Sequence, residues 1–332
     1  MRDYEWSTRL MLNGSLAKLG TVTDVVDQVT GRGSFEVGLR DQDMDYRWRF
    51  SGDRQDMSLE VNLVKTGNSV RENPTELRFL LPVDARFSHV SLVNRIRNLT
   101  YITAEREGPR ETYPLEDQHA VRVVGPRGEN AVTVLYGGRD EHIATELMLE
   151  GVAPTLLHQL GARLASFFPD CAIDVQQVPN ANAVTLGIRT SSDTGFLRPI
   201  HCGFGITQIL PIIVATLSVS KGSLMLIENP EVHLHPAGQA LMGQLLADAA
   251  HAGIQTIVET HSDHVLNGIR RSVKSERILA DEVAIHFFRQ RSQDAAQVLS
   301  PTLDSSGNID VWPEGFFDQF DKDMDYFVGW GK

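Results

Sequence analysis

Residues 35 to 136 largely alternate between apolar and polar side chains with a period of two. This alternation is typical of antiparallel strands with one face in water. Two helices are predicted within and after this region, at 86–99 and at 152–168, the second from apolar residues at three- and four-residue steps. The runs that alternate most clearly, and are therefore predicted to be strands, lie at 46–50, 57–63, 77–81 and 132–136.

After residue 200 the pattern changes to amphipathic helices separated by short, continuous apolar runs. Such runs are typical of a parallel sheet that is covered on both faces, so the predicted fold class is α/β. The helices are predicted at 205–220, 237–252 and 263–273. The apolar strands are predicted at 223–228, 254–260 and 283–290.

Composition narrows the classes of function. The 332 residues carry a net charge of -12, so attraction of the whole protein to nucleic acid or to an anionic membrane is not expected, although a local basic groove stays open. The two cysteines, Cys171 and Cys202, have no metal-ligand spacing and fit a reducing compartment. The longest apolar stretch, 209–219, is too short to span a bilayer. We therefore expect a cytoplasmic protein without a membrane partner.

Polar side chains follow two of the predicted parallel strands. Glu228, Asn229, Pro230 and Glu231 come after the first strand, and the segment 259–263 ends the second. Ligands of such sheets bind beyond the carboxyl ends of the strands, so these residues are candidates for a site. The simpler alternative is that the acidic residues only cap the helices that follow.

One interpretation of these clusters is a zinc-dependent hydrolase, because imidazole and carboxylate are ligands that suit zinc. The stretch "ETHSDH" differs by one residue from the HxHxDH motif of metallo-β-lactamase-like hydrolases, with Glu259 at the first His position. That fold also needs ligands further downstream, where only His286 remains. The candidate ligands would be His233, His235, His261, Asp263 and His264.

The second interpretation is phosphoryl transfer from a nucleotide. An apolar strand that ends in a carboxylate, here Glu228, can hold Mg²⁺, and a histidine after the next parallel strand, here His261, can sense the γ-phosphate. Upstream, the glycine-rich turn at Gly203 opens a helix whose free backbone N–H groups could bind a phosphate. This ordered set of parts is more specific than any one of them, so phosphoryl transfer is favoured.

The same block resembles a known group of proteins. Residues 200–272 contain "GFGITQILP", "IENPEVHLHP" and "ETHSD", and they resemble the second half of the ABC-type ATPase head found in SMC, RecF and OLD-like proteins, specifically its bacterial AAA-type members. The stretches 10–26 and 101–115 fit the same group, and 307–325 resembles its C-terminal domain of unknown function. The resemblance implies an ABC-type P-loop ATPase head: a mixed sheet with helices on both faces and an antiparallel β subdomain.

The resemblance also implies roles for the helix start and for the histidines. Residues 203–208 would be the signature motif, which binds the γ-phosphate held by the opposing subunit. His261 matches the switch histidine, and His233 and His235 fall in the D-loop region, where packing against the partner subunit is an equal alternative. The signature residues expected to bind nucleotide are Gly203, Gly205, Thr207 and Gln208.

For the acidic strand end, the resemblance places Glu228 at the Walker B position that holds Mg²⁺. Asn229 stands where ABC proteins usually have the catalytic Glu, and an amide cannot act as a base. Hydrolysis is then slow, or Glu231 serves instead. Arg106, in "YITAEREG", is expected either to face a phosphate or a partner, or to form a structural salt bridge.

One part that the resemblance implies is absent from the 332 residues. They contain no GxxxxGK[ST] string, the Walker A loop that holds the β- and γ-phosphates. The nearest spacing, Gly238 to Gly243, lacks both the Lys and the hydroxyl and is predicted to lie on the surface of an amphipathic helix. We expect that the first βα unit has been lost from the N-terminus. A truncated chain is favoured over completion by a partner chain or a regulator that no longer binds ATP.

The expected function is an ABC-like ATPase subunit in which ATP and Mg²⁺ drive dimerisation, in defence against phage or mobile DNA. Its partner would be a second copy or a related ATPase subunit at the signature face, with an effector nuclease or DNA as further candidates. The alternative is an interaction module without turnover, and the acidic residues from Asp318 to Asp325 are interpreted as a solvated helical face. The expected divisions are a β-rich part at 1–140, a helical insertion with a strand pair at 141–200, the ATPase core at 201–290 and a family-specific segment at 291–332.

Overall fold

The computed structural model of the chain describes residues 3–28, 31–41, 44–83, 90–115, 123–291 and 296–328. The chain divides into two compact units, Met1–Leu99 and Thr100–Lys332. The finer division into four parts that the sequence suggests stays a prediction.

The first unit contains an antiparallel sheet of five strands. They are β1 (Arg9–Met11), β2 (Ser34–Asp41), β3 (Met44–Ser51), β4 (Ser58–Thr66) and β5 (Ser69–Glu72). The strand order is β1-β4-β3-β2, and β5 also pairs with β4. Along β3 the side chains of Tyr46, Trp48 and Phe50 are buried while those between them are exposed. The period-two pattern is therefore confirmed here as antiparallel sheet with one wet face.

The segment 77–81 is not the continuous strand that its alternation predicts. It forms a hairpin in which Phe79 and Leu80 have left-handed backbone conformations, with φ of 50° and 59°. The Trp48 indole N–H donates a hydrogen bond of 2.8 Å to the Leu80 carbonyl oxygen. The turn contains no glycine, the residue that adopts left-handed conformations most readily. Buried contacts, rather than a local backbone preference, therefore hold it. The remaining elements of the unit are α1 (Val22–Val25), β6 (Leu77–Arg78), β7 (Leu81–Pro82) and α2 (Val90–Arg97).

The helix predicted at 86–99 is confirmed for α2, whereas residues 86–89 lie outside the described residues.

The second unit alternates helices and strands after residue 200, as predicted. Its strands are β8 (Thr100–Ile102), β9 (Tyr113–Pro114), β10 (Ala172–Gln177), β11 (Ala183–Arg189), β12 (Leu224–Glu228), β13 (Gln255–Glu259), β14 (Phe287–Phe288) and β15 (Val298–Leu299). Its helices are α3 (Ala131–Gly138), α4 (Leu156–Phe167), α5 (Phe204–Ser218), α6 (Pro236–His251), α7 (Asp263–Lys274) and α8 (Gln319–Phe327). Strand β11 pairs antiparallel with β10 and with β9.

A parallel sheet with the order β13-β12-β8 lies at the centre of this unit. Strands β12 and β13 confirm the predicted parallel pair. The third strand, β8, lies more than 120 residues earlier in the chain and was not predicted to join them. Helix α5 is buried along most of its length and belongs to the same core cluster as Met225 and Ile227 of β12.

Two strand predictions in this unit are wrong. The run 283–290 contributes only β14, which pairs antiparallel with β15 and does not enter the parallel sheet. Residues 132–136 belong to helix α3, although Val132 and Val134 alternate as in a strand. The buried residues of α3 are Ala131, Val132, Val134, Leu135 and Gly138, which follow the three- and four-residue steps of a helix. Burial against α4 and α5 outweighs the strand preference of two valines.

Helices α6 and α7 cross at unusually close range, and two glycines permit it. A Cβ atom at Gly243 would lie 2.1 Å from the Val265 carbonyl oxygen, and one at Gly268 would lie 2.1 Å from the Ala240 carbonyl oxygen. Gly243 belongs to the Gly238 to Gly243 pair, which lies on α6 as predicted, but both glycines are buried and not on the helix surface. Gly243 permits the close packing of α6 against α7.

We predict that Gly243→Ala destabilises the protein by about 3 kcal/mol, because the added methyl group forces two helix backbones apart. The matched control is Gly161→Ala in α4, where a Cβ atom meets nothing within 4 Å. That control should be stabilising by about 0.5 kcal/mol, since alanine favours the helix. Urea unfolding followed by circular dichroism measures both. Equal midpoints for the two variants would contradict the close crossing.

Candidate functional site

Three polar segments meet at one edge of the parallel sheet. Because β8, β12 and β13 run in the same direction, the residues after Ile102, Glu228 and Glu259 emerge side by side. The register places Glu228 directly opposite Glu259. The start of α5 lies beside the loop that follows β12, where a Cβ at Gly205 would be 3.1 Å from the His233 carbonyl oxygen. The structure thus brings the segments of the predicted site together.

The carboxylate of Glu228 is held on both oxygens by the segment around β8. The Tyr101 hydroxyl donates to Oε1 at 2.5 Å, and the Ala104 backbone N–H donates to Oε2 at 3.0 Å. Burial, the hydrogen bond to Glu228 and the negative charge of Glu228 raise the pKa of Tyr101 to about 12. The phenol therefore stays protonated as a donor. A carboxylate has about four acceptor positions, so Glu228 retains lone pairs for a cation.

Arg106 supports the same strand end from inside the protein. It is 6% exposed, and its guanidinium donates to the carbonyl oxygens of Glu228 at 2.9 Å and of Asn229 at 2.7 Å. A third bond of 3.2 Å reaches the Thr103 carbonyl oxygen. Burial lowers the pKa of Arg106, while the charges of Glu231 and Glu228 oppose that shift. Of the roles considered for Arg106, this geometry favours a structural one, although its acceptors are carbonyls rather than a carboxylate.

Asn229 has a left-handed backbone with φ of 41°. The Asn229 N–H donates to the Glu259 carbonyl oxygen at 2.9 Å, and Arg106 donates to the Asn229 carbonyl oxygen. Both backbone polar groups of Asn229 are therefore hydrogen-bonded. Asparagine adopts this conformation more readily than glutamate does. The left-handed backbone therefore favours an asparagine over the expected catalytic Glu at this position.

Glu231 connects the loop after β12 to the loop after β13. Its Oε2 accepts a hydrogen bond of 2.7 Å from the Thr260 hydroxyl, and its Oε1 accepts one of 2.9 Å from the His261 backbone N–H. The predicted role of Glu231 as a substitute base stays a prediction. The geometry shows that this carboxylate connects the two loops through hydrogen bonds.

The His261 side chain projects into solvent. Its imidazole is 83% exposed, and its Nε2 lies 3.1 Å from Glu259 Oε1. The backbone is fixed by Glu231 on one side and on the other by Ser262, whose hydroxyl accepts from the Val265 N–H as the N-cap of α7. An exposed side chain on a fixed backbone is well placed to contact a ligand.

Ser262, which belongs to the predicted 259–263 segment, and Gln239, which no sequence motif included, complete this loop. The Ser262 hydroxyl donates to Gln239 Oε1 at 2.6 Å, and the Gln239 amide donates to the Leu234 carbonyl oxygen at 2.9 Å. Ser262 has a recognisable signal as an N-cap before a helix, whereas Gln239 is one polar position among several on α6. Together they join the two loops to α6.

The glycine-rich start of α5 has an exposed part and a buried part. Gly203 is exposed, with nothing near the position of a Cβ, whereas a Cβ atom added at Gly205 would lie 3.1 Å from the Phe168 ring. Thr207 and Gln208 are buried, and their side chains donate to carbonyl oxygens of the same chain, at Phe204 and Glu107 respectively. The groups that remain available for a ligand are the free backbone N–H groups of the first helical turn.

The histidines of the hydrolase interpretation have separate local partners. His235 Nδ1 accepts from the Ala237 N–H as the N-cap of α6, and the His233 ring lies 5.7 Å from the Phe204 ring. His264 lies 3.7 Å from Asp263. Across the described part of the chain, no group of three or more His, Cys, Asp or Glu side chains is arranged to hold a metal ion.

None of the helices that the structure describes is long and apolar enough to cross a membrane.

The contact between Tyr101 and Glu228 leads to a prediction about the ionisation of Tyr101 at alkaline pH. Because the folded-state pKa of Tyr101 is raised to about 12, its contribution to stability should be present below about pH 10 and lost as the pH rises through 12. Burial also raises the pKa of Tyr113, so ultraviolet difference spectra should show a late-ionising amplitude that falls by one phenol in Tyr101→Phe. Glu228→Gln should lower this pKa only in part, since burial remains its main cause.

The matched control for this titration is Tyr4→Phe, which removes a tyrosine that is 43% exposed and lies in the other unit. That variant should keep the full late-ionising amplitude. An unchanged pKa of Tyr101 in Glu228→Gln would contradict the contact.

Comparison with known families agrees with this geometry. The family model described as "AAA domain, putative AbiEii toxin, Type IV TA system" matches residues 36–267. A second model, described as "Protein of unknown function (DUF3696)", matches residues 278–326, which confirms the resemblance of the C-terminal segment. A search of curated proteins finds no match to the chain.

One solved structure of an SMC head is similar in fold. The SmcHead bound to the C-winged helix domain of ScpA superposes with a TM-score of 0.51 at 11% identity, over 88% of this chain and 85% of that one. A structure from work on ATP-driven dimerization and DNA stimulated activation of SMC ATPases has 11% identity, covers 51% of this chain and 90% of that one, and has a TM-score of 0.36. The first likeness confirms the predicted α/β fold of an ABC-type ATPase head. With its family model covering well over half of the sequence, the chain belongs to the AAA domain family described as "putative AbiEii toxin, Type IV TA system" and has an ATPase-head fold.

Proposed function

We propose that this chain is an ABC-like ATPase subunit in which bound ATP and Mg²⁺ drive the association of two subunits. The observation that carries the proposal is the meeting of Glu228 and the His261 segment at the ends of adjacent parallel strands, with the start of α5 beside the intervening loop. An ATPase family and an ATPase-head fold supply the nucleotide class.

In this proposal Glu228 holds Mg²⁺, and its environment fits a hard cation. Both carboxylate oxygens are oriented by donors, and each retains a lone pair. Carboxylate oxygens are the ligands that Mg²⁺ prefers, together with water and phosphate oxygens. When bound, the ion would neutralise phosphate charge. Tyr101 and Ala104 act as positioning groups, because they fix the direction in which Glu228 presents its oxygens.

His261 is proposed to contact the γ-phosphate. Its imidazole is exposed while its backbone is held by Glu231, so the side chain can move toward a ligand without displacing the loop. An imidazole N–H would donate a hydrogen bond to a phosphate oxygen.

The start of α5 is proposed to bind the γ-phosphate held by an opposing subunit. Gly203 leaves the backbone exposed, and the first helical turn directs free N–H groups and the positive end of the helix dipole outward. The side chains of Thr207 and Gln208 are bonded within the chain, so their contribution is to fix the helix start. The partner would be a second copy or a related ATPase subunit.

ATP binding also needs a phosphate cradle, and residues 1–332 contain no GxxxxGK[ST] string. We propose that these residues alone bind ATP weakly and act together with a segment that carries this loop. The signature face and the Glu228 site belong to opposite faces of the nucleotide in such a pair. The chain would therefore still contribute its signature in trans.

A second candidate is a nucleotide-dependent interaction module with little turnover. Asn229 favours it, because an amide cannot take a proton from water. Glu231 accepts hydrogen bonds from the Thr260 hydroxyl and the His261 N–H, which hold its carboxylate toward the loop after β13. Binding and release, rather than hydrolysis, would then control the subunit contact.

The biological setting is proposed to be defence against phage or mobile DNA. The description of the matching family, which names a toxin and a toxin–antitoxin system, supports this setting. An effector nuclease or DNA would be the further partner.

Gly203→Glu tests the signature face. Supplied with a homologue or unit that carries the GxxxxGK[ST] loop, the parent chain should associate on addition of ATP and Mg²⁺. Gly203→Glu should weaken this association at least about tenfold, because a carboxylate would face the phosphate in a partly dry interface. Gly203 is preferable to Gly205, since a side chain at Gly205 would also disturb packing against Phe168.

The control is Gly203→Ala, which adds one methyl group in open space and should associate like the parent chain. Light scattering with and without nucleotide gives the readout. Association of Gly203→Glu at parental strength would refute the signature role, and micromolar ATP affinity of residues 1–332 alone would refute the need for a second segment.

Turnover in the complemented pair separates the two candidates. Asn229→Glu should raise ATP hydrolysis at least about tenfold by restoring a general base, even though the left-handed backbone opposes the change. Asn229→Gly, which suits that backbone and adds no base, is the control and should leave the rate unchanged. If Glu231→Gln abolishes parental turnover, Glu231 is the substitute base. If the parent has no turnover, the interaction module is supported.

A further inference from the structure

Helix α8 carries an apolar stripe that faces solvent. Phe320, Met324, Phe327 and Val328 are 71%, 45%, 78% and 53% exposed. Their spacing of four and seven residues places them on one face of the helix. None of the nine residues of α8 is buried. An exposed aromatic stripe of this kind marks an interaction surface.

Acidic residues flank this stripe. Asp321 and Asp323 lie on its two sides and Asp325 lies further round the helix, while Lys322 pairs with Asp318 at 2.8 Å on the opposite face. Two such helices placed face to face would bring like charges together. The stripe therefore suits an apolar surface with basic residues near it rather than another α8.

The same chain offers such a surface in its second unit. A groove of about 640 Å³ lies between the segments 279–286 and 300–303. Leu279, itself 61% exposed, lies at its border, and Asp281 is the one acidic residue among those that line it. Its apolar lining is Leu279, Ala280, Val283, Ala284, Ile285, Pro301 and Leu303.

The groove lies beside a basic helix end. Val273 of α7 packs in one cluster with Val283 and Leu303, which line the groove. On the same helix, Arg271 and Lys274 are exposed near its carboxyl end. Their positive charges complement the carboxylates that border the stripe of α8.

We propose that the apolar stripe of α8 docks into this groove on a second copy of the chain. Phe316 and Phe317, which precede α8, pack in a cluster with Ile285 and Leu303 of the groove, so the helix starts close to the groove of its own chain. In a two-fold pair each helix can then reach the groove of the other copy, and both contacts form together. This association needs no nucleotide and is separate from the proposed signature contact.

Sedimentation velocity without nucleotide tests the stripe. The parent chain should show a monomer–dimer equilibrium. The double change Phe320→Ser with Phe327→Ser should raise the dissociation constant at least about tenfold, because it removes two aromatic side chains that the dimer would bury. The matched control is Tyr326→Ser, because Tyr326 is 74% exposed and lies about 120° around the helix from Phe320. That control should dimerise like the parent chain.

Cross-linking tests the groove. In a Cys202→Ser background, Met324→Cys on one chain and Leu279→Cys on a second chain with a larger tag should join through a short bismaleimide. The pair Tyr326→Cys with Leu279→Cys should give several-fold less product. Charge reversal at Arg271 and Lys274 to Glu should lower the yield of the first pair.

Each other outcome overturns the proposal. A parent chain that stays monomeric at high concentration shows that no such contact forms. A dimer that is indifferent to the Phe320 and Phe327 changes uses another surface. Cross-links found only within a chain that carries both cysteines show that α8 folds onto its own groove. Because these experiments contain no ATP, their outcome does not bear on the proposed signature contact. That contact is tested separately by Gly203→Glu.

Discussion

Parallel pairing of β8 and β13 with β12 is the constraint on which the rest of the site depends. Parallel strands deliver their carboxyl ends to the same edge, so segments far apart in sequence become neighbours there. The edge collects the Glu228 carboxylate from β12, the His261 segment from β13 and the Arg106 segment from β8. Without β8, Glu228 would lose the donors on both of its oxygens.

Hydrogen bonds place the two acids of "ENPE" in different settings. Glu228 is oriented by Tyr101 and Ala104 from the β8 segment, whereas Glu231 accepts from Thr260 and His261 and so links the loop after β12 to the loop after β13. Arg106 binds the carbonyl oxygens at the turn between them and stabilises the left-handed conformation of Asn229. A buried guanidinium that makes several hydrogen bonds rigidifies such a turn, as the proposed Mg²⁺ site at this strand end would require.

The C-terminal segment is packed onto the helix that follows His261. Leu266 of α7 lies in one cluster with Ile309 and Phe316, and the Arg270 guanidinium donates to the Gly307 carbonyl oxygen at 2.7 Å. The two matching family models thus meet within a single unit of the structure. Helix α8, at the end of the C-terminal segment, differs from this packed region, because none of its aromatic side chains is buried.

The sequence alone determined the elements whose pattern is local: β12, β13 and helices α5 to α7, together with the polar residues at their ends. These follow from periodicity and capping, which depend on residues within about four positions of each other. Local pattern misled at Val132 and Val134, where burial on a helix overrode strand preference. Only the tertiary structure decided that Tyr101, 127 residues before Glu228, would be its partner, because a contact across that separation depends on how the whole chain closes rather than on its neighbours.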